Sequence, residues 1–151
     1  MLVYRITQAP FSDDLSGRGA FLYGGRWNFK GQYMLYTSGN ASLALLETLA
    51  HLDGMKVPAN LVMMVLEVDV ASTSSLDVNI LPKDWRKSPS SDSLKNLGAT
   101  FLQSDHAMMK VPSVLMPLDH NYLINPNHKG IKTLKIVRKE AFLIEGRLLK
   151  V

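Results

Sequence analysis

Cysteine is absent from this 151-residue chain. Its absence removes a disulfide framework, a thiolate metal site and a cysteine nucleophile together, and it fits a reducing compartment. Long apolar runs are missing as well. The longest strongly apolar stretch, LVMMVL at 61–66, is far too short to cross a bilayer. The first residues, MLVYRITQAP, lack a basic region followed by an extended apolar one, so they do not read as a secretory signal. A cytoplasmic protein without membrane attachment is expected. There is no internal repeat and no block of like charge. The net charge of +4 would favour an anionic ligand, an acidic partner or nucleic acid, but it is spread over scattered lysines, which reads first as a solvated basic surface.

Several catalytic signatures are also missing. His51, His106, His120 and His128 show no HExxH-type spacing, so no metal site is expected. Neither a Walker A pattern nor GxGxxG occurs, so a phosphate-bearing ligand would be held by other means. Ser113 sits in VPSV without the GxSxG turn that exposes a nucleophilic serine.

What is present suits one domain with one core: 46% of the residues are apolar. LVYRI (2–6) alternates and predicts a strand, with Arg5 on the face opposite Tyr4 and Ile6. Residues 10–31 read as a long shaped loop, and YMLYT (33–37) as a second strand. SGNASLALLETLAHL (38–52) then changes period. Asn40 or Ser42 can cap a helix there, and Leu43, Leu46, Leu49 and Ala50 form its apolar face. LVMMVLEVDV (61–70) is a strand and 71–93 an irregular segment. A helix is expected from about Ser93 to Met109, with Leu94, Leu97, Phe101 and Leu102 inward. Strands are expected at 111–117, from 120 into a turn by 128, at 133–138 and at 141–144. Strands outnumber helices without alternating with them, which predicts an α+β fold.

Four residues stand out chemically. Glu47 lies in the middle of an alanine–leucine helix, where burying a carboxylate without a partner is costly. It reads either as a half-exposed partner of His51 at i+4 or as a carboxylate on the floor of a cleft. Arg26, in GGRWNFKGQYMLYTS (24–38), follows two glycines that let backbone approach a ligand closely. Its fork of donors suits a phosphate or carboxylate; the plainer alternative is a salt-bridge partner beside a core Trp27. Tyr36 can stack on a planar ligand, although spacing alone favours core packing. Ser113 can donate one hydrogen bond.

The order of the segments YRI, GGRWNFKGQYMLYTS, SLALLETLAHL, LPKDW, VPSVLMP and NYLINPNH resembles the RES-domain family, and the resemblance runs from residue 3 to about residue 148. That family is named for an arginine, a glutamate and a serine, which fall here on Arg26, Glu47 and Ser113. EGRLL (145–149) departs from the family's usual aspartate–proline before Arg-Leu, which puts a role for Arg147 in doubt. The resemblance implies a single RES domain over 1–151, with a central mixed or antiparallel sheet similar to the diphtheria-toxin-like ADP-ribosyltransferase fold. It also implies a toxin of a bacterial toxin–antitoxin pair that takes NAD⁺ as substrate and breaks its nicotinamide–ribose bond, by hydrolysis or phosphorolysis. ADP-ribosylation of a protein in the same pocket is the alternative, and a non-catalytic module with a basic surface is a second one. On this reading Glu47 stabilises the ribosyl cation and Arg26 grips the phosphates while Trp27 anchors its loop. Tyr36 stacks near nicotinamide, Ser113 bonds ribose or nicotinamide, and Arg5 adds a second positive charge. The implied partner is a DNA-binding antitoxin that occludes the cleft.

Overall fold

The computed structural model describes residues 1–87, 89 and 91–150. Along the chain come β1 (Leu2–Gln8), α1 (Arg18–Tyr23), β2 (Leu35–Ser38), α2 (Ala41–Leu52), β3 (Leu61–Val70), β4 (Thr73–Ser75), α3 (Asp92–Leu102), β5 (Met108–Pro112), β6 (His120–Ile124) and β7 (Ile131–Phe142). The seven strands make one sheet in the order β4-β5-β6-β2-β1-β3-β7. Only the short β4 runs parallel to its neighbour β5. The fold is α+β, as the sequence pattern predicts, and its sheet is mixed, one of the two forms that the resemblance implies.

The sheet is pinched in its middle. β1 pairs with β3 along its whole length, from Leu2 opposite Glu67 to Gln8 opposite Leu61. Against β2 it keeps a single register pair, Tyr4 opposite Ser38. Two well-paired halves are therefore hinged at one point, and the space between the diverging strands becomes a cleft. Neighbouring residues of the strands in the β4–β2 half belong to different apolar clusters. Met109 and Leu123 join Trp27, Met34, Trp85, Leu94, Phe101 and Val111. Met108, Leu35 and Ile124 join Val3, Met64, Leu66 and Val68. Side chains alternate across a strand, so this half is sandwiched between two cores. α3 closes the first of them with Leu94 and Phe101, two of the residues expected to face inward.

The elements differ from expectation where local polar chemistry or two-sided burial overrode the pattern. The loop over 10–31 contains α1, a six-residue helix. α3 stops at Leu102 instead of running to Met109. Ser104 donates to the carbonyl of Phe101 and accepts from the amide of His106, which turns the chain. Met108 and Met109 then enter β5, buried on opposite faces. A two-sided apolar run has no period that separates strand from helix. The strand expected at 111–117 is accordingly shifted back to 108–112. The two C-terminal strands are one, β7, running through Lys139 and Glu140. In α2 the cap is Asn40, which accepts from the amide of Leu43 at 2.8 Å. The buried face of α2 is Leu43 and Ala44, while Leu46 and Ala50 lie exposed. This rotation turns Glu47 toward the cleft.

Candidate active site

The cleft has a volume of about 750 Å³ and is lined by the β1 stretch Tyr4–Gln8, by Tyr23 to Arg26, by Tyr36 to Ser38 of β2, by Glu47, Thr48 and His51 of α2, and by Asn121 of β6. Four of the predicted residues, Arg5, Arg26, Tyr36 and Glu47, are thus brought to one concavity.

Glu47 projects from the middle of α2, one turn beyond the buried Leu43 and Ala44. Its Oε1 accepts from Asn121 Nδ2 at 2.6 Å and from Ser113 Oγ at 3.3 Å. Its partners among the described residues are these two side chains, not His51, so the i+4 pairing does not form. Ser113 is fully buried. Its hydroxyl oxygen also accepts the amides of Leu115 at 3.0 Å and Met116 at 3.1 Å, which shapes the turn after β5. The expectation that Ser113 bonds ribose or nicotinamide is therefore corrected: its hydroxyl is committed inside the protein and does not line the cleft. Ser113 stands behind Glu47 and holds it.

Arg26 is fixed by backbone. Its Nη1 donates to the carbonyls of Trp85 at 2.9 Å and Lys87 at 3.0 Å. Burial lowers its pKa, and the nearby Glu47 and Tyr36 oppose that shift; a guanidinium stays charged regardless. The loop that carries it is braced by Asn28, which is fully buried. Asn28 Nδ2 donates to the carbonyls of Ala20, Phe29 and Gln32. Asn28 Oδ1 accepts from the Tyr36 hydroxyl at 2.7 Å, and the same hydroxyl accepts the Trp27 amide at 3.0 Å. Burial pushes the Tyr36 phenol up, with the Trp27 amide and Arg26 pulling weakly the other way, so it stays protonated. A Cβ at Gly25 would lie 2.6 Å from the Tyr36 hydroxyl oxygen. That glycine is required by an internal contact, whatever ligand passes it.

Trp27 is 4% exposed and belongs to the core beside α3. A Cβ at Gly98 would lie 1.6 Å from its carbonyl oxygen. Trp27 sits in the core behind the Arg26 loop and is not among the residues that line the cleft. Tyr36 does both things, packing on that core and lining the cleft. Arg5 donates to the Asp14 carbonyl at 3.3 Å. Burial lowers its pKa, and Asp14 partly restores it. Arg147 lies away from the cleft in a surface turn, where its Nε donates to Glu145 at 3.1 Å.

Two site residues escaped the sequence reading, Asn121 and Ser38. Ser38 Oγ donates to Asn121 Oδ1 at 2.8 Å. The available signal was parity: in HNYLI, Asn121 shares a face with the fully buried Leu123. A polar side chain at a core-facing strand position needs a buried partner.

A family model described as the RES domain matches residues 2–145. The chain belongs to the RES-domain family. It is 33% identical over 151 residues to the protein named Toxin Res of Yersinia enterocolitica, covering 98% of this chain and 99% of that one. It is 35% identical over 143 residues to the Prs ADP-ribosylating toxin of a Sphingobium species, covering 92% and 89%. A chain in the crystal structure of the M. tuberculosis MbcT–MbcA toxin–antitoxin complex superposes with a TM-score of 0.76 at 18% identity, over 93% of this chain and 83% of that one. That likeness concerns the fold. Of the arginine, glutamate and serine that the resemblance assigns to Arg26, Glu47 and Ser113, the first two line the cleft and Ser113 hydrogen-bonds Glu47 from behind.

Proposed function

We propose that this RES protein is a toxin whose cleft binds NAD⁺ and breaks the bond between nicotinamide and ribose. The observation that carries the reading is the pairing of Glu47 with Arg26 in one cleft. Glu47 has one oxygen tied down by two donors and the other, Oε2, without a protein donor among the described residues. Cleavage at C1′ passes through an oxocarbenium-like state. The C1′–N bond breaks with its electron pair staying on nitrogen, so nicotinamide leaves neutral and needs no general acid. A fixed negative charge near C1′ stabilises the ribosyl cation, and the same carboxylate can hold a ribose hydroxyl. An oxygen of water or phosphate then bonds to C1′, and with water a proton is released. Arg26 holds the pyrophosphate, Arg5 adds positive charge, and the Tyr36 ring lies against nicotinamide.

The name of the Sphingobium relative favours a second reading, transfer of ADP-ribose to a protein from the same pocket. Purified protein incubated with NAD⁺ separates the two. Free nicotinamide without an added acceptor supports cleavage to water or phosphate. Nicotinamide release only with added protein, together with ADP-ribose on that protein, supports transfer. Neither release nor NAD⁺ binding removes both and leaves a non-catalytic module.

A protein that consumes NAD⁺ needs restraint in the cell that makes it. The partner proposed is a DNA-binding antitoxin that enters the cleft, competing with NAD⁺. A segment with a carboxylate and a few apolar residues would match Arg26 and the aromatic wall. The antitoxin's apparent affinity should then fall as NAD⁺ rises; an affinity independent of NAD⁺ places inhibition elsewhere.

A further inference from the structure

We infer that Asn121, oriented by Ser38, is the positioning residue that decides which oxygen of Glu47 faces the substrate. The inference rests on the NAD⁺ reading for its kinetic effect and on geometry alone for its structural one.

An ionised carboxylate only accepts hydrogen bonds. The Asn121 atom 2.6 Å from Glu47 Oε1 must therefore be the amide nitrogen, and the amide cannot flip. With the nitrogen committed to Glu47, the Asn121 oxygen faces Ser38. That oxygen accepts, so the Ser38 hydroxyl spends its proton on it at 2.8 Å. The result is a directional chain, Ser38 to Asn121 to Glu47, with every donor assigned.

The chain crosses three elements, from β2 through β6 to α2. It starts beside the Tyr4–Ser38 pair, the single point where the two sheet halves join. The carboxylate is thereby referenced to the hinge of the cleft, and its orientation does not depend on the helix alone. Both donors to Glu47, Asn121 and Ser113, converge on Oε1. With Oε1 taken by both donors, Oε2 is the oxygen of Glu47 left for the cleft that this residue lines. Losing the Asn121 donor leaves the longer Ser113 contact at 3.3 Å as the restraint.

A misplacement of about 1 Å at a reacting centre costs on the order of 10²-fold in rate. For Asn121→Ala the expected fall in kcat for nicotinamide release is about 10- to 100-fold, with KM for NAD⁺ changed less than about threefold. Ser38→Ala should lose less, about 3- to 10-fold, because Asn121 keeps its bond to Glu47 while losing its orienter. Ser38 acts only through Asn121, so the double variant should be no slower than Asn121→Ala. Independent structural damage would multiply instead. Full kcat in Asn121→Ala, or multiplying losses in the double variant, overturns the inference.

A crystal structure of the Asn121→Ala variant reads the same point without any assay. The expected result is a Glu47 carboxylate rotated or split between conformers. A single unchanged Glu47 conformer overturns the inference even if the protein proves inactive on NAD⁺. Inactivity of the unsubstituted protein, with Glu47 displaced in the variant, overturns the NAD⁺ reading and leaves the positioning role standing.

Discussion

The two walls of the cleft are built by different means. On the carboxylate wall, Glu47 is set by side chains: Asn121 and Ser113 hold it, and Ser38 holds Asn121. All but Ser113 stand on helix or strand, and Ser113 directly follows β5. On the arginine wall, Arg26 stands on a loop and is gripped by the carbonyls of Trp85 and Lys87. A carbonyl is supplied by any residue, so that grip depends on the path of the chain and not on the side chains at the gripping positions. The carboxylate wall should therefore fail at single named residues. The arginine wall should fail through whatever shapes its loop, chiefly Asn28, Tyr36 and the buried Trp27 and Trp85.

The largest effect is expected at the carboxylate. Glu47→Gln preserves size and can still accept from Asn121 and Ser113, yet removes the charge. Its kcat should fall on the order of 10²-fold or more while NAD⁺ affinity changes little. Single-turnover nicotinamide release together with calorimetric NAD⁺ titration gives both quantities. Near-normal turnover in the folded variant removes Glu47 from the chemistry.

Arg26→Ala tests the other wall and should behave differently. A phosphate contact persists from ground to transition state, so binding suffers before chemistry. A charged hydrogen bond contributes about 1.5–3 kcal/mol, which predicts a rise in KM of roughly 10- to 100-fold. Arg26→Lys should recover only part of that, because an ammonium cannot use two carbonyls and a phosphate with one planar fork. Unchanged NAD⁺ affinity in Arg26→Ala would end the phosphate assignment.

How much of this could be read beforehand follows the same division. β1 was legible from its alternation, α2 from its alanine–leucine composition and β3 from its valine–methionine run. So was the gathering of Arg5, Arg26, Tyr36 and Glu47, through the resemblance of ordered segments more than through spacing. The rotation of α2 was not legible: alanine and leucine stand all around it, and only the sheet decides that Leu43 and Ala44 go under and Leu46 stays out. β5 was displaced because Met108 and Met109 face two different cores, which erases the alternation that marks a strand. Ser113 was identified by type but misjudged in direction. A serine hydroxyl that accepts two backbone amides looks no different in sequence from one that meets a ligand. Asn121 was missed because its meaning lies in a partner 74 residues away.

Ser113→Ala sharpens the comparison at intermediate size. It removes one donor to Glu47 and leaves the amides of Leu115 and Met116 without their acceptor. Stability should fall by about 1–3 kcal/mol, the cost of unsatisfied buried groups, and kcat by roughly 10-fold as Glu47 loosens. Chemical denaturation and steady-state kinetics check the two parts. A rise in KM without a fall in kcat would return Ser113 to the substrate side.

The smallest effect is expected at the side chain that touches both walls. Arg86 lies over the Trp85 ring at 4.5 Å and donates to the Val114 carbonyl at 3.2 Å, so it ties the segment gripping Arg26 to the turn shaped by Ser113. None of its contacts is strong: a stacked, exposed cation contributes about 0.5–1 kcal/mol, the Val114 carbonyl bond is ordinary, and a further bond to the Ser113 carbonyl is long at 3.5 Å. If the walls are built independently, Arg86→Ala should cost only about 1 kcal/mol. That lowers Tm by roughly 2–4 °C in a chain of this size. Both kcat and KM should stay within about threefold, the ordinary range for a surface change away from special features. Scanning calorimetry and nicotinamide release on the same preparation give the answer. A loss of kcat as deep as that of Ser113→Ala would mean that Arg86 couples the arginine wall to the carboxylate, and the two walls would have to be treated as one device.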